Sequence, residues 1–107
     1  MSQWVDVGPI TELKFDPGAP VLVDGKWLAV FRRDEHDVTA GYHVIDNVCP
    51  HASAPLCDGT VIDGKVACYL HLWEFDLATG ACEVGEQWNV QTYRSRVVGE
   101  RLEIELP

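Results

Sequence analysis

Cys49-Pro50-His51-Ala52-Ser53-Ala54-Pro55-Leu56-Cys57-Asp58-Gly59-Thr60-Val61-Ile62-Asp63-Gly64-Lys65-Val66-Ala67-Cys68-Tyr69-Leu70-His71 is the stretch on which the reading of this chain turns. A Cys-x-His opens it and a Cys-x-x-His closes it, with sixteen residues between His51 and Cys68. Each half offers one thiolate and one imidazole, so Cys49, His51, Cys68 and His71 make a four-ligand set for a metal centre. With four Cys and four His in 107 residues, this pair of spacings arises by chance in roughly one sequence in a thousand. Between the two motifs, Thr60 to Ile62 and Lys65 to Cys68 flank Asp63-Gly64, a favoured two-residue hairpin turn. That hairpin is expected to present the second ligand pair, while Asn47 to Asp58, with Pro50, Pro55 and small residues, suits an ordered loop carrying the first.

Outward from this stretch the pattern is that of strands. β-Branched and aromatic residues come in short runs punctuated by Gly, Pro, Asp and Asn. Trp4 to Val7 reads as a first strand, Val21 to Val23 and Lys26 to Phe31 as a hairpin around Asp24-Gly25, and Tyr42 to Ile45 as a further strand. Val90 to Val98 reads as another. Leu102, Ile104 and Leu106 alternate with Glu103 and Glu105, the signature of a half-buried strand. Ile10 to Lys14 has room for one helical turn, and Asp34 to Asp37 suits a solvated hairpin tip. The fold class is all-β, and 107 residues suit one domain over 1–107.

Composition narrows the function. Lys and Arg total 8 against 17 Asp and Glu, a formal charge of -9. Such a surface repels polyanions, which makes nucleic acid and anionic membranes poor partners; it either favours a protein with a basic docking face or simply keeps the chain soluble. No apolar run approaches the roughly 20 residues of a membrane span, and the first residues lack a secretion signal, so a cytoplasmic location is expected. In a reducing compartment four cysteines point to metal chemistry rather than a disulfide framework.

Two metal centres fit four such ligands: zinc, or a 2Fe-2S cluster with two Cys on one iron and two His on the other. Zinc knuckles usually group their cysteines as Cys-x-x-Cys, whereas here each loop mixes one Cys with one His. The mixing favours iron and sulfide, with a zinc-stabilised binding module as the alternative.

On these residues the sequence resembles the Rieske family, from about Val21 to Leu106. The shared positions are Cys49-Pro50-His51, Ala54-Pro55-Leu56, Asp58-Gly59, Cys68 to His71 and Phe75-Asp76-Leu77-Ala78-Thr79-Gly80. The resemblance implies one 2Fe-2S cluster, with Cys49 and Cys68 on one iron and His51 and His71 on the other. It implies an antiparallel β-sandwich or partial barrel carrying a small cluster-binding subdomain, about residues 46–80, made of two loops. It also implies a carrier rather than an enzyme, taking one electron from a flavin-dependent reductase and giving it to an oxygenase. The alternative acceptor is the large subunit of an assimilatory nitrite reductase.

Within that family, respiratory members staple their loops with two further cysteines, where this chain has Ala54 and Leu70. They also carry a serine and a tyrosine that donate to the cluster sulfurs, where this chain has Trp73 and Phe75. Lacking those hydroxyls, the reduced and more negative state is less stabilised, which places the potential near the low end of the Rieske range, about -150 mV. Outside the motif, Cys57 and Cys82 read as small apolar fillers, and His36 and His43 as surface or strand histidines. Trp73 reads as core or as a shield for the cluster. Gly59, Gly64 and Gly80 read as turn positions with positive φ.

Overall fold

The computed structural model describes residues 3–34, 40–50, 54–70 and 72–107. Its strands are β1 (Gln3–Pro9), β2 (Ala19–Val23), β3 (Lys26–Arg32), β4 (Tyr42–Asp46), β5 (Thr60–Ile62), β6 (Lys65–Ala67), β7 (Glu74–Asp76), β8 (Thr92–Tyr93), β9 (Ser95–Val98) and β10 (Arg101–Leu106). Short 3-10 turns occupy Ile10–Glu12, Leu56–Asp58 and Glu86–Trp88. Among the described residues all strand pairs are antiparallel, in three sheets ordered β1-β10-β9, β2-β3-β4-β8 and β5-β6-β7. Among the described residues there is no α-helix and no closed barrel, so the all-β expectation holds in its sandwich form.

Both expected Asp-Gly hairpins are present, and their backbones explain the residue choice. Asp24 and Gly25 have φ of 51° and 81°, and Asp63 and Gly64 have 51° and 76°. Two successive positive φ values twist a two-residue turn in the sense that paired strands require, and Asp and Gly tolerate them best.

The four-stranded sheet is the middle of three layers. Leu28, Val30, Tyr42 and Val44 face one core, with Leu102 and Ile104 of β10 opposite; Ala29, Phe31 and Ile45 face the other, with Leu56, Val66 and Phe75 opposite. That is why β3 reads as the unbroken apolar run Leu28-Ala29-Val30-Phe31, with every member essentially inaccessible: a strand covered on both faces does not alternate. β10 has only one covered face and does alternate, and its outward Glu103 and Glu105 meet Arg96 (2.7 Å) and Arg94 (3.5 Å) of the neighbouring segment. Exposed pairs of this kind contribute about 0–1 kcal/mol each, so the layer is held by its apolar side.

The single strand expected over Val90 to Val98 is two strands. β8 pairs with β4 in the middle sheet and β9 with β10 in the outer sheet, the chain passing between layers at Arg94. The expected hairpin tip falls largely outside the described residues, since 35–39, including His36, are not among them.

Everything between β4 and β8 is one excursion from the middle sheet. Its two ends are tied together: Asp46 N–H donates to the Gln91 carbonyl (3.0 Å), and Gln91 N–H donates to Asp46 Oδ2 (3.2 Å). Asp46 Oδ1 also accepts from the Tyr93 hydroxyl (2.7 Å) and pairs with Lys26 Nζ (3.0 Å). Both sequence motifs lie on this excursion.

Candidate metal centre

The two motifs occupy equivalent places on two hairpins. Val48 bridges Pro55, and Ala67 of β6 pairs with Glu74 of β7, so in each case the paired residues are seven apart and six residues loop between them. A cysteine comes first in each loop. Cys49 N–H donates to the Ala54 carbonyl and Cys68 N–H to the Trp73 carbonyl, both at 2.8 Å. Each thiol therefore sits at the neck of a loop, on backbone that its own hydrogen bond fixes.

Both necks are inside the protein. Cys49 and Cys68 are buried in the same core as Leu56, Val66 and Phe75, and none of the four cysteines is in a disulfide. The loop tips are the opposite: Pro50, Tyr69, Leu70 and Leu72 are exposed. Leu72, 66% exposed, holds φ at 59° while its N–H donates to the Cys68 carbonyl (2.8 Å). A left-handed leucine costs about 1–2 kcal/mol. His51 and His71, the other two expected ligands, lie outside the described residues, as do Ala52 and Ser53.

The first loop is braced by an asparagine that the sequence reading did not single out. Asn47 is the buried polar residue of the described core; its Oδ1 accepts the Cys57 N–H (2.8 Å) and its carbonyl accepts the Leu56 N–H. Its own N–H donates to the Trp27 carbonyl (3.2 Å), fastening the loop to β3. A polar residue two positions before a Cys-Pro-His motif is the signal available in sequence.

Gly59 corrects an expectation. Its φ is -76°, not positive. Glycine is needed there because a Cβ would lie 2.3 Å from the Ala67 carbonyl oxygen, so the first loop's 3-10 turn packs directly on the strand that delivers Cys68. Gly64 and Gly80 do have positive φ, 76° and 78°.

Cys57 and Cys82 are buried, as expected of fillers. Burial first, and then the Asp58 carboxylate, push the Cys57 thiol above its ordinary range. His43, on β4, is held below the usual imidazole range by burial and then by the Arg33 guanidinium. Trp73 is half-buried against the core that holds Cys49 and Cys68 and meets Trp88 edge-on, ring centroids 5.5 Å apart.

The described donors suit a soft metal centre: two thiols with no disulfide between them, buried together in apolar surroundings at the necks of matched loops. An all-β scaffold of three sheets that closes two such loops over buried cysteines, each with a histidine a few residues on, defines a class of metal-binding electron-transfer domain. Residues 3–94 match the Rieske [2Fe-2S] domain, and the chain belongs to that family, whose cofactor is an iron–sulfur cluster rather than zinc. Among curated relatives, the ferredoxin component of the naphthalene 1,2-dioxygenase system of Pseudomonas aeruginosa is 31% identical over 106 residues, 97% of this chain and 96% of the relative. The anthranilate 1,2-dioxygenase ferredoxin subunit of Burkholderia cepacia is 30% identical, over 97% of this chain and 93% of its own. Among solved structures, the carbazole 1,9a-dioxygenase ferredoxin of Nocardioides aromaticivorans superposes with a TM-score of 0.78 at 28% identity, covering 95% and 96% of the two chains. A Mycobacterium tuberculosis protein assigned as the small subunit of an NADH-dependent nitrite reductase gives 0.83 at 25% identity, covering 100% and 97%. No helix among the described residues is long and apolar enough to cross a membrane.

Proposed function

We propose that this chain is a one-electron carrier, not itself an enzyme, which takes an electron from a flavin-dependent reductase and passes it to an oxygenase. Residues 1–107 would work as one domain, with the cluster-binding part at about 46–80. Cys49 and Cys68 would ligate one iron of a single 2Fe-2S cluster, and His51 and His71 the other. When bound, the cluster supplies a site that gains and loses one electron without bond-making chemistry.

The observation that carries this reading is the pairing of the two loops: buried cysteine necks and exposed apolar tips. Burial of both thiols excludes water from their side of the site, and the neck hydrogen bonds hold the two sulfurs in place whichever charge the site carries. The tips at Pro50, Leu70 and Leu72 are exposed and offer an apolar edge to a partner. The acidic surplus draws a basic partner towards it.

The test is metal content and spectroscopy of anaerobically purified protein. A red-brown protein with two irons and two sulfides per chain, whose reduced state gives the low average g value of mixed Cys and His ligation, is expected. A colourless protein holding one zinc would overturn the reading. A second reading, a subunit held permanently in a nitrite reductase, draws on the TM-score of 0.83 to the M. tuberculosis structure. Copurification with a large reductase subunit and no free pool would favour it, and a freely exchanging monomeric pool would favour the carrier.

A further inference from the structure

We propose that an apolar shelf centred on Trp27, beside the first ligand loop, forms part of the surface on which a redox partner protein docks, the partner presenting an apolar contact inside a basic rim. The proposal rests on the carrier reading above and adds to the loop tips a surface on the β2–β3 hairpin.

Trp27 and Leu22 are cross-strand partners on the outward face of that hairpin, 49% and 57% exposed. Pro20 lies on the same face of β2. The Trp27 carbonyl accepts the Asn47 N–H, which brings the shelf against Val48, itself 49% exposed. A groove of about 390 Å³ runs here between Pro20, Trp27, Val48 and Pro55. Val48 and Pro55 are the bridged pair that closes the Cys49 loop, so the shelf is continuous with the mouth of that loop. A half-exposed Trp beside two exposed aliphatics is the composition of a binding anchor, since Trp is enriched among residues whose truncation weakens protein complexes most.

Charge identifies the occupant. Asp58 is the charged residue lining the groove. From Asn47 to Tyr93 the sequence holds one basic residue, Lys65, against Asp58, Asp63, Glu74, Asp76, Glu83 and Glu86. Lys26, next to Trp27, is committed to Asp46, and Arg94, Arg96 and Arg101 are committed to carboxylates of the outer sheet. The cations around this contact must therefore come from the partner. A second copy of this chain would bring acid against acid, which disfavours self-association through the shelf.

The test uses the loaded protein and mitochondrial cytochrome c, an acceptor whose exposed haem edge is ringed by lysines. The second-order rate of cytochrome c reduction is measured at low ionic strength by stopped flow, together with the visible spectrum and reduction potential of each variant. Trp27→Ala is expected to keep spectrum and potential and to slow transfer by about tenfold. Val97→Ala, which trims an exposed aliphatic on the outer sheet, is expected to transfer at the wild-type rate. Leu22→Ala, slowed in the same direction, repeats the test should Trp27→Ala fail to fold. A variant with intact spectrum and unchanged rate overturns the shelf alone, as does a wild-type dimer that Trp27→Ala dissociates in sedimentation. A wild-type protein with no cluster spectrum instead overturns the carrier reading and the shelf with it.

Discussion

Replacing Asn47 by alanine is the sharpest test of how the first ligand loop is held. The side-chain Oδ1 is the acceptor for a buried Cys57 N–H at 2.8 Å, and that donor sits within the core that contains Cys49 and Cys68. Alanine removes the acceptor and admits no other, so the variant bears the desolvation cost of an unsatisfied buried N–H, about 1–3 kcal/mol. In a domain of this size each kcal/mol lowers the melting temperature by about 4–8 °C, so Asn47→Ala is expected to melt about 10 °C below wild type. Asn89 supplies the internal comparison, because its Oδ1 accepts the Cys82 N–H at the same 2.8 Å but in a part-buried setting that water reaches. Asn89→Ala is therefore expected to cost about 1 kcal/mol or less. Circular dichroism melts at neutral pH, with visible bleaching of the loaded protein followed in parallel, measure both. Should Asn47→Ala melt within about 2 °C of wild type, or Asn89→Ala prove the worse of the two, the bracing role argued for Asn47 is refuted.

Cys49→Ser and Cys68→Ser are each expected to abolish bound iron, while Cys57→Ser and Cys82→Ser retain two irons per chain; metal analysis of the four variants decides the ligand assignment. Gly59→Ala would place a methyl 2.3 Å from the Ala67 carbonyl oxygen, and the resulting displacement of β6 is expected to cost about 1–3 kcal/mol and to weaken cluster retention, read from melting and bleaching rates. Because folding lowers the His43 pKa, mainly by burial, the unfolded chain takes up that proton first; stability from this group is present above about pH 6.5 and falls as pH drops through the lower folded value. His43→Gln should flatten that part of the stability–pH curve, and an unchanged slope in denaturant titrations would contradict it. Electron transfer to a basic acceptor is expected to slow as added salt shortens the Debye length from about 30 Å to about 8 Å; a rate indifferent to salt would remove electrostatic steering.

The parts of this fold that are legible in sequence are those where one local rule acts alone. Asp24-Gly25 and Asp63-Gly64 announce their turns because few other pairs accept two positive φ values, and Leu102-Glu103-Ile104-Glu105 announces a one-sided strand by strict alternation. The family resemblance is legible because Cys-x-His followed by Cys-x-x-His at this separation is rare by chance, and the match over residues 3–94 bears it out. Where two layers compete for one segment, local rules fail. Val90 to Val98 looks like one strand, and only tertiary packing divides it at Arg94. Gly59 looks like a turn glycine, yet the constraint is the Ala67 carbonyl, delivered by a different hairpin. The equivalence of the two ligand loops is likewise invisible, because their histidines stand at different offsets from the cysteines while the pairing that relates them, Val48 with Pro55 and Ala67 with Glu74, is set by backbone bonds.

The excursion that carries the ligand loops leaves and re-enters the middle sheet through the hydrogen-bonded pair Asp46 and Gln91. By connectivity it hangs from a single point, like a pendant that could be unhooked without rerouting the rest of the chain. By packing it is a roof: Leu56, Val66 and Phe75 cover Ala29, Phe31 and Ile45, and without them the central sheet would present that face to water. Excursion and middle sheet are therefore separable in topology and inseparable in stability. Any event that loosens the ligand loops will be felt at once in the sheet beneath them.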